Sequence, residues 1–248
     1  MSAEQLKIVF EHETLNAESV LKAISTILEK HGIPLTEFSF EGRTIDLLSA
    51  LPLLQKSKRK SFHLVGQDFE FLYGSVGNCR LDFLQIRSAA PLLYWDDWVT
   101  GFADSPHFVM AWVVDREYDF WQNADDPLEY TAVGKPYHHL PMKSNDLPYP
   151  VEQKIIDTSN NPGRWRFHNG YIEAIGATMW LGPPFWALTH TDQRQIERLP
   201  WLNVLPFSSR AIKIQVADQS FATAQGSGGE LQSQLRSVLF PAKTNTSN

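Results

Sequence analysis

The chain has 248 residues, 43% of them hydrophobic, so it can bury roughly three quarters of its unfolded surface and needs no covalent staple to fold. Its 28 acidic and 22 basic side chains give a net charge of −6, which argues against direct nucleic-acid binding, because holding phosphates takes a basic stripe. The lone cysteine, Cys79, excludes an internal disulfide framework, and no apolar run approaches the ~20 residues that span a bilayer.

The first residues, Met1 to Gln5, lack the basic start and apolar stretch of a signal peptide, so a cytoplasmic protein without membrane contact is expected. Residues 6–11 read as a strand. Asn16 is a strong N-cap, with Leu15 and Val20 placed as a hydrophobic staple, for a helix over 17–31. Its apolar face is Val20, Leu21, Ile24, Ile27 and Leu28, and Lys30-His31-Gly32 with Pro34 beyond ends it. Phe38 and Phe40 alternate with polar neighbours in a strand over 36–41. Thr44 can cap a short helix through Leu48 that ends near Pro52, and the basic run Lys56, Lys58, Arg59 and Lys60 reads as a solvated loop.

Segments 61–65, 69–73 and 80–87 are separated by turn residues and predict an antiparallel meander. Pro91 starts a helix with Leu92, Leu93, Trp95, Trp98, Val99 and Phe102 on its apolar face, and 107–114 is a buried strand. From Asp115 to Pro150 the chain reads as a long irregular stretch broken by five prolines, the kind of segment that carries function. Residues 151–158 suggest a short helix. Strands over 165–168 and 171–180 meet at a two-residue Asn169-Gly170 turn; then follow a helix over 191–199, a strand over 212–216, and a helix over 230–239 before a polar tail. The organisation is α+β, a mixed or antiparallel sheet with helices on its faces, expected as one domain over 1–248, with 88–90 the place for any subdivision.

No phosphate-cradling glycine loop, Gly-x-Ser-x-Gly elbow or His-Glu-x-x-His helix occurs, so neither catalysis nor a cofactor or metal is expected. The enzyme-like pieces are His138-His139, His190-Thr191-Asp192 and the acidic set Asp115, Glu117 and Asp119; a small hydrolase using His138, His139 or His190 is the alternative reading. Adjacent histidines in an extended chain face opposite sides, however, and Thr189 or Thr191 is most simply a helix cap. All eight tryptophans lie between Trp95 and Trp201 among prolines and acidic residues, a pattern suited to presenting surface to a partner. In a strand, Asp115, Glu117 and Asp119 would share one face while Tyr118 and Phe120 pack on the other, and the acidic-aromatic character continues through Trp121, Asp125, Asp126, Glu129 and Tyr130. One reading is an edge strand with a solvated face. The other is a docking surface, in which Asp115, Glu117, Asp119, Trp121, Asp125, Asp126 and Glu129 engage a basic partner.

The stretch from Phe120 to Tyr130, the loop 141–150, and Gly170-Tyr171-Ile172-Glu173-Ala174 through Trp180-Leu181-Gly182 with Phe185-Trp186 resemble the bacterial polymorphic-toxin immunity family numbered fifty-two. That family pairs with toxins of restriction-endonuclease-like fold and includes the immunity protein of a Pseudomonas type VI secretion nuclease effector. The resemblance implies a cytoplasmic antitoxin that binds its cognate effector, a DNase, and blocks DNA cleavage. No contact residue is carried over from it, because such families diversify at the binding face.

Overall fold

The computed structural model describes residues 3–57, 60–89 and 94–241. In chain order its elements are β1 (Glu4–Glu11), α1 (Ala17–Lys30), β2 (Phe38–Phe40), β3 (Arg43–Ile45), α2 (Ala50–Ser57), β4 (Phe62–Val65), β5 (Phe69–Val76), β6 (Leu81–Ser88), α3 (Trp95–Ala103) and β7 (Phe108–Asp115). There follow α4 (Arg116–Asn123), α5 (Pro127–Ala132), β8 (Met142–Ser144), β9 (Lys154–Ile156), β10 (Arg166–His168), β11 (Tyr171–Glu173), β12 (Thr178–Leu181), α6 (Pro183–Thr189), α7 (Gln193–Glu197), β13 (Asn203–Pro206), β14 (Ile212–Gln215) and α8 (Gly226–Leu239). The fold is α+β.

Ten strands form one antiparallel sheet in the order β13-β14-β12-β7-β1-β6-β5-β4-β2-β3, and β8-β9 and β10-β11 are separate two-stranded ribbons. The first strand sits between β6 and β7, so the sheet joins segments on both sides of residues 88–90. On one face Leu6, Ile8 and Phe10 of β1 pack with Phe71, Leu84 and Ile86 against α1 and α3, through Val20, Leu21, Ile24, Trp98 and Val99. On the other face Val9, Trp112, Met179 and Ile214 pack against Phe185 of α6, Ile196 of α7 and Leu235 and Leu239 of α8. Each such side chain, fully buried, contributes about 1.5–3 kcal/mol.

Coverage of the second face is uneven, and the burial patterns record it. All eight residues of β7 are buried, because that strand is packed on both sides. In β4, Phe62 and Leu64 are buried while His63 and Val65 are exposed, and in β5 and β6 the residues Glu70, Leu72, Gln85 and Arg87 are only half-buried. The second face is therefore open over β4, β5 and β6, up to Gln5 and Lys7 of β1.

Helix α1 forms as its sequence requires, with Asn16 accepting from the Ser19 N–H at 2.8 Å. The meander pairs as expected, and Asn169-Gly170 joins β10 to β11 with Gly170 at φ +84°. Gly182 lies so close to the Phe108 carbonyl that a Cβ there would collide with it.

Several expectations are corrected. Thr44 pairs with Ser39 in β3 and caps no helix; a 3-10 turn at Leu47–Ser49 runs straight into α2, so Pro52 lies inside the helical stretch and does not end it. Residues 151–158 form no helix: Lys154–Ile156 is a strand paired with Met142–Ser144. The segment 171–180 is two strands in different sheets, separated at 174–177. Asp192, not Thr189 or Thr191, caps the helix that follows, accepting from the Arg194 N–H at 2.9 Å. The expected helix start at Pro91, Leu92 and Leu93, with Lys58 and Arg59 of the basic loop and the tail from 242, lies outside the described residues; Lys60 pairs with Glu13 at 2.7 Å. Among the described residues no helix is long and apolar enough to cross a membrane.

Candidate partner-binding lobe and groove

The stretch expected to be irregular is a folded lobe. Asp115 accepts from the Tyr118 N–H at 2.7 Å and starts α4, so the acidic-aromatic run is a helix and not the strand its alternation suggested. Asp126 accepts from the Leu128 N–H at 2.8 Å and, with Pro127 next to it, starts α5. Ala124, Tyr130 and Ile156 form a small core with Trp121, Tyr137 and Leu140 around it. The β9 strand is tied in by the Ile156 N–H, which donates to the Asp125 carbonyl at 2.8 Å. The lobe is bolted to the body where Asp119 accepts from Gln5 Nε2 at 2.8 Å and Lys7 Nζ at 2.7 Å, and where the Tyr118 hydroxyl donates to Gln232 at 2.9 Å.

The expected binding residues therefore divide. Asp115 and Asp119 are buried, the first as a cap and the second in an ion pair, so neither offers a charge to a partner. Trp121 is half-buried with Tyr130 edge-on at 4.7 Å and Lys135 Nζ over its ring at 4.1 Å, a wedge in the lobe's core and not an exposed anchor. Asp126 caps α5 with one carboxylate oxygen and stays exposed. Glu117 and Asp125 are exposed and Glu129 is half-buried, and among the described residues none has an ion-pair partner.

Those three carboxylates line one groove of about 800 Å³, whose floor is the open sheet face. Gln5 and Lys7 of β1 lie opposite Arg87 and Gln85 of β6, and Phe120 and Trp165 stand at the walls. The floor is electrically closed: Lys7 is matched by Asp119, and Arg87 donates to both oxygens of Glu70 at 2.9 and 3.0 Å. Burial pulls the Lys7 ammonium below its usual pKa even against the opposing pull of Asp119. Burial pushes the Glu129 carboxyl up, and Asp126 and Asp125 push it further, so this wall is short of positive charge. Arg116 also lines the groove. Gln5, Lys7, Gln85 and Arg87 were missed in the sequence; their signal was the polar-apolar alternation Gln5-Leu6-Lys7-Ile8 and Leu84-Gln85-Ile86-Arg87.

At the far end of the lobe the β8–β9 loop presents Leu147, Tyr149 and Val151, with Tyr149 90% exposed. Asn145 braces it: its side-chain oxygen accepts from the N–H groups of Leu147 and Gln153, and its amide donates to the Val151 carbonyl, at 3.0–3.2 Å. Of the eleven exposed large hydrophobic residues among those described, seven fall between Phe120 and Val151. Exposed apolar side chains scattered singly are the norm; here they concentrate in one stretch of the chain.

The histidines of the enzyme reading do not come together. His138 and His139 are exposed in a turn, His138 leaning on the Tyr137 ring at 4.4 Å, while His190 is exposed at the left-handed C-cap of α6. Among the described residues none of the three has a carboxylate at hydrogen-bond distance, and no group of three or more His, Cys, Asp or Glu side chains could hold a metal ion.

No protein-family model and no curated protein matches the chain. A solved structure of a Pseudomonas aeruginosa T6SS protein is similar to it with a TM-score of 0.51 at 13% identity, covering 90% of this chain and 68% of that one. At that identity the likeness is one of fold.

Proposed function

We propose that this protein is an immunity protein of a type VI secretion or related contact-dependent system, which binds and neutralises a cognate nuclease effector in the cytoplasm and acts by binding, without catalysis, cofactor or metal. The observation that carries the reading is the lobe 116–157, where exposed apolar side chains concentrate beside unpaired carboxylates. A nuclease presents basic surface to hold DNA, and such a surface complements this lobe. Support also comes from the shared fold with a protein described as T6SS; the resemblance to immunity family fifty-two rests on the sequence alone, since no family model matches the chain. The test is co-expression with the product of the adjacent gene in a host that this product poisons. Rescue by the wild-type chain, with a complex that co-purifies, is expected; a toxic neighbour that this chain neither binds nor restrains would end the immunity reading.

A further inference from the structure

The open half of the sheet is lined mostly by polar side chains, and the occupant of the groove beside the lobe can be argued from charge. The floor of the groove holds two closed pairs, Lys7 with Asp119 and Arg87 with Glu70, so it offers a neutral, hydrogen-bonding surface. The α4–α5 wall is different: Glu117, Asp125 and Glu129 face a single guanidinium, Arg116, and among the described residues none of the four has an ion-pair partner. Phe120, 46% exposed and edge-on to Trp121 at 4.9 Å, stands at the groove as an aromatic face held from behind.

We propose that this groove seats an arginine or lysine side chain of the protein partner, carried on a segment that lies across the open face of β1, β6 and β5. This rests on reading the lobe as partner-binding, and goes beyond it by naming the seat and the chemistry of its occupant. A guanidinium there reaches carboxylates on the wall, stacks on Phe120, and relieves the repulsion among Asp125, Asp126 and Glu129. The volume, about 800 Å³, admits a long side chain with the backbone that carries it. An anionic side chain would meet three unpaired carboxylates for one free arginine.

The test uses the full chain, a tetra-arginine peptide and a tetra-glutamate peptide at low salt, followed by amide chemical shifts and titration calorimetry. The arginine peptide is expected to bind saturably, to shift Lys7, Phe120 and Asn123, and to lose roughly tenfold in affinity in the Asp125→Asn/Glu129→Gln double variant. Glutamate binding, no saturable binding of either peptide, or arginine binding that the double variant leaves unchanged would each overturn the proposal. The two readings fail separately. A neighbouring toxin bound and neutralised equally well by the double variant would sink the groove and leave immunity standing, whereas groove-specific peptide binding in a chain that protects against nothing would do the reverse.

Discussion

Asp119 and Glu129 are two carboxylates ten positions apart in the chain, and burial with or without a partner decides what each does. Asp119 is buried against Lys7 and Gln5, and removing one member of such a pair leaves the other charged and desolvated. Asp119→Ala or Lys7→Met should therefore cost about 3–5 kcal/mol in denaturant unfolding, while Lys7→Met/Asp119→Leu together should recover most of that loss. Equal losses in the single and double variants would show that the site is held by packing alone. Glu129 is the opposite case, its carboxyl raised by burial and by Asp126 and Asp125. A folded pKa above the unfolded one means the protonated form favours the fold: that contribution is full below the unfolded carboxylate pKa and is lost as pH rises through the folded value. Glu129→Gln should accordingly raise the Tm slightly at neutral pH and make no difference in acid; a variant less stable at pH 7 would mean that the charge is already compensated. Glu129 was legible as a surface acid. That Asp119 is not one depends on Lys7, 112 positions away, which no local pattern can show.

At the level of elements, legibility followed how local the deciding interaction was. Asn16 caps α1 from three residues away, and the alternation in β4, β5 and β6 reports one covered face, so these were readable. The run from Asp115 to Phe120 alternates like a strand but becomes α4, because a cap at Asp115 and the i, i+4 placement of Asp115 and Asp119 toward the body outweigh a short period-two pattern. The prolines between 115 and 150 suggested a long irregular loop, whereas Pro127 begins a helix and the β8–β9 loop is braced by one asparagine. Because the bonds of Asn145 are local and exposed, Asn145→Ala should leave global stability nearly intact while the loop loosens by about 1–3 kcal/mol. Amide exchange at Leu147 and Gln153, whose N–H groups donate to Asn145, should speed up at least tenfold; unchanged exchange would show that the loop is held by something other than this side chain.

Across the whole molecule, helices close one face of the sheet and half of the other, and the lobe stands beside the half left open. A net charge of −6 gives a basic partner a long-range pull, and the unpaired wall of the groove gives that pull a direction. Charge and apolar anchors then act on different steps of one encounter. Glu117→Lys/Asp125→Lys, both at exposed positions, should slow association with the cognate partner, more at low salt than at high salt, where a screening length near 10 Å removes most of the field. Tyr149→Ala touches no charge and leaves the Asn145 brace in place, so it should leave association alone and speed dissociation, as loss of a desolvated aromatic contact does. Surface kinetics at two ionic strengths separates the two effects. Were the charge variants to change only dissociation with no salt dependence, the carboxylates would be contact residues without steering; were both sets of variants to bind as wild type does, the partner would dock on a surface other than this lobe.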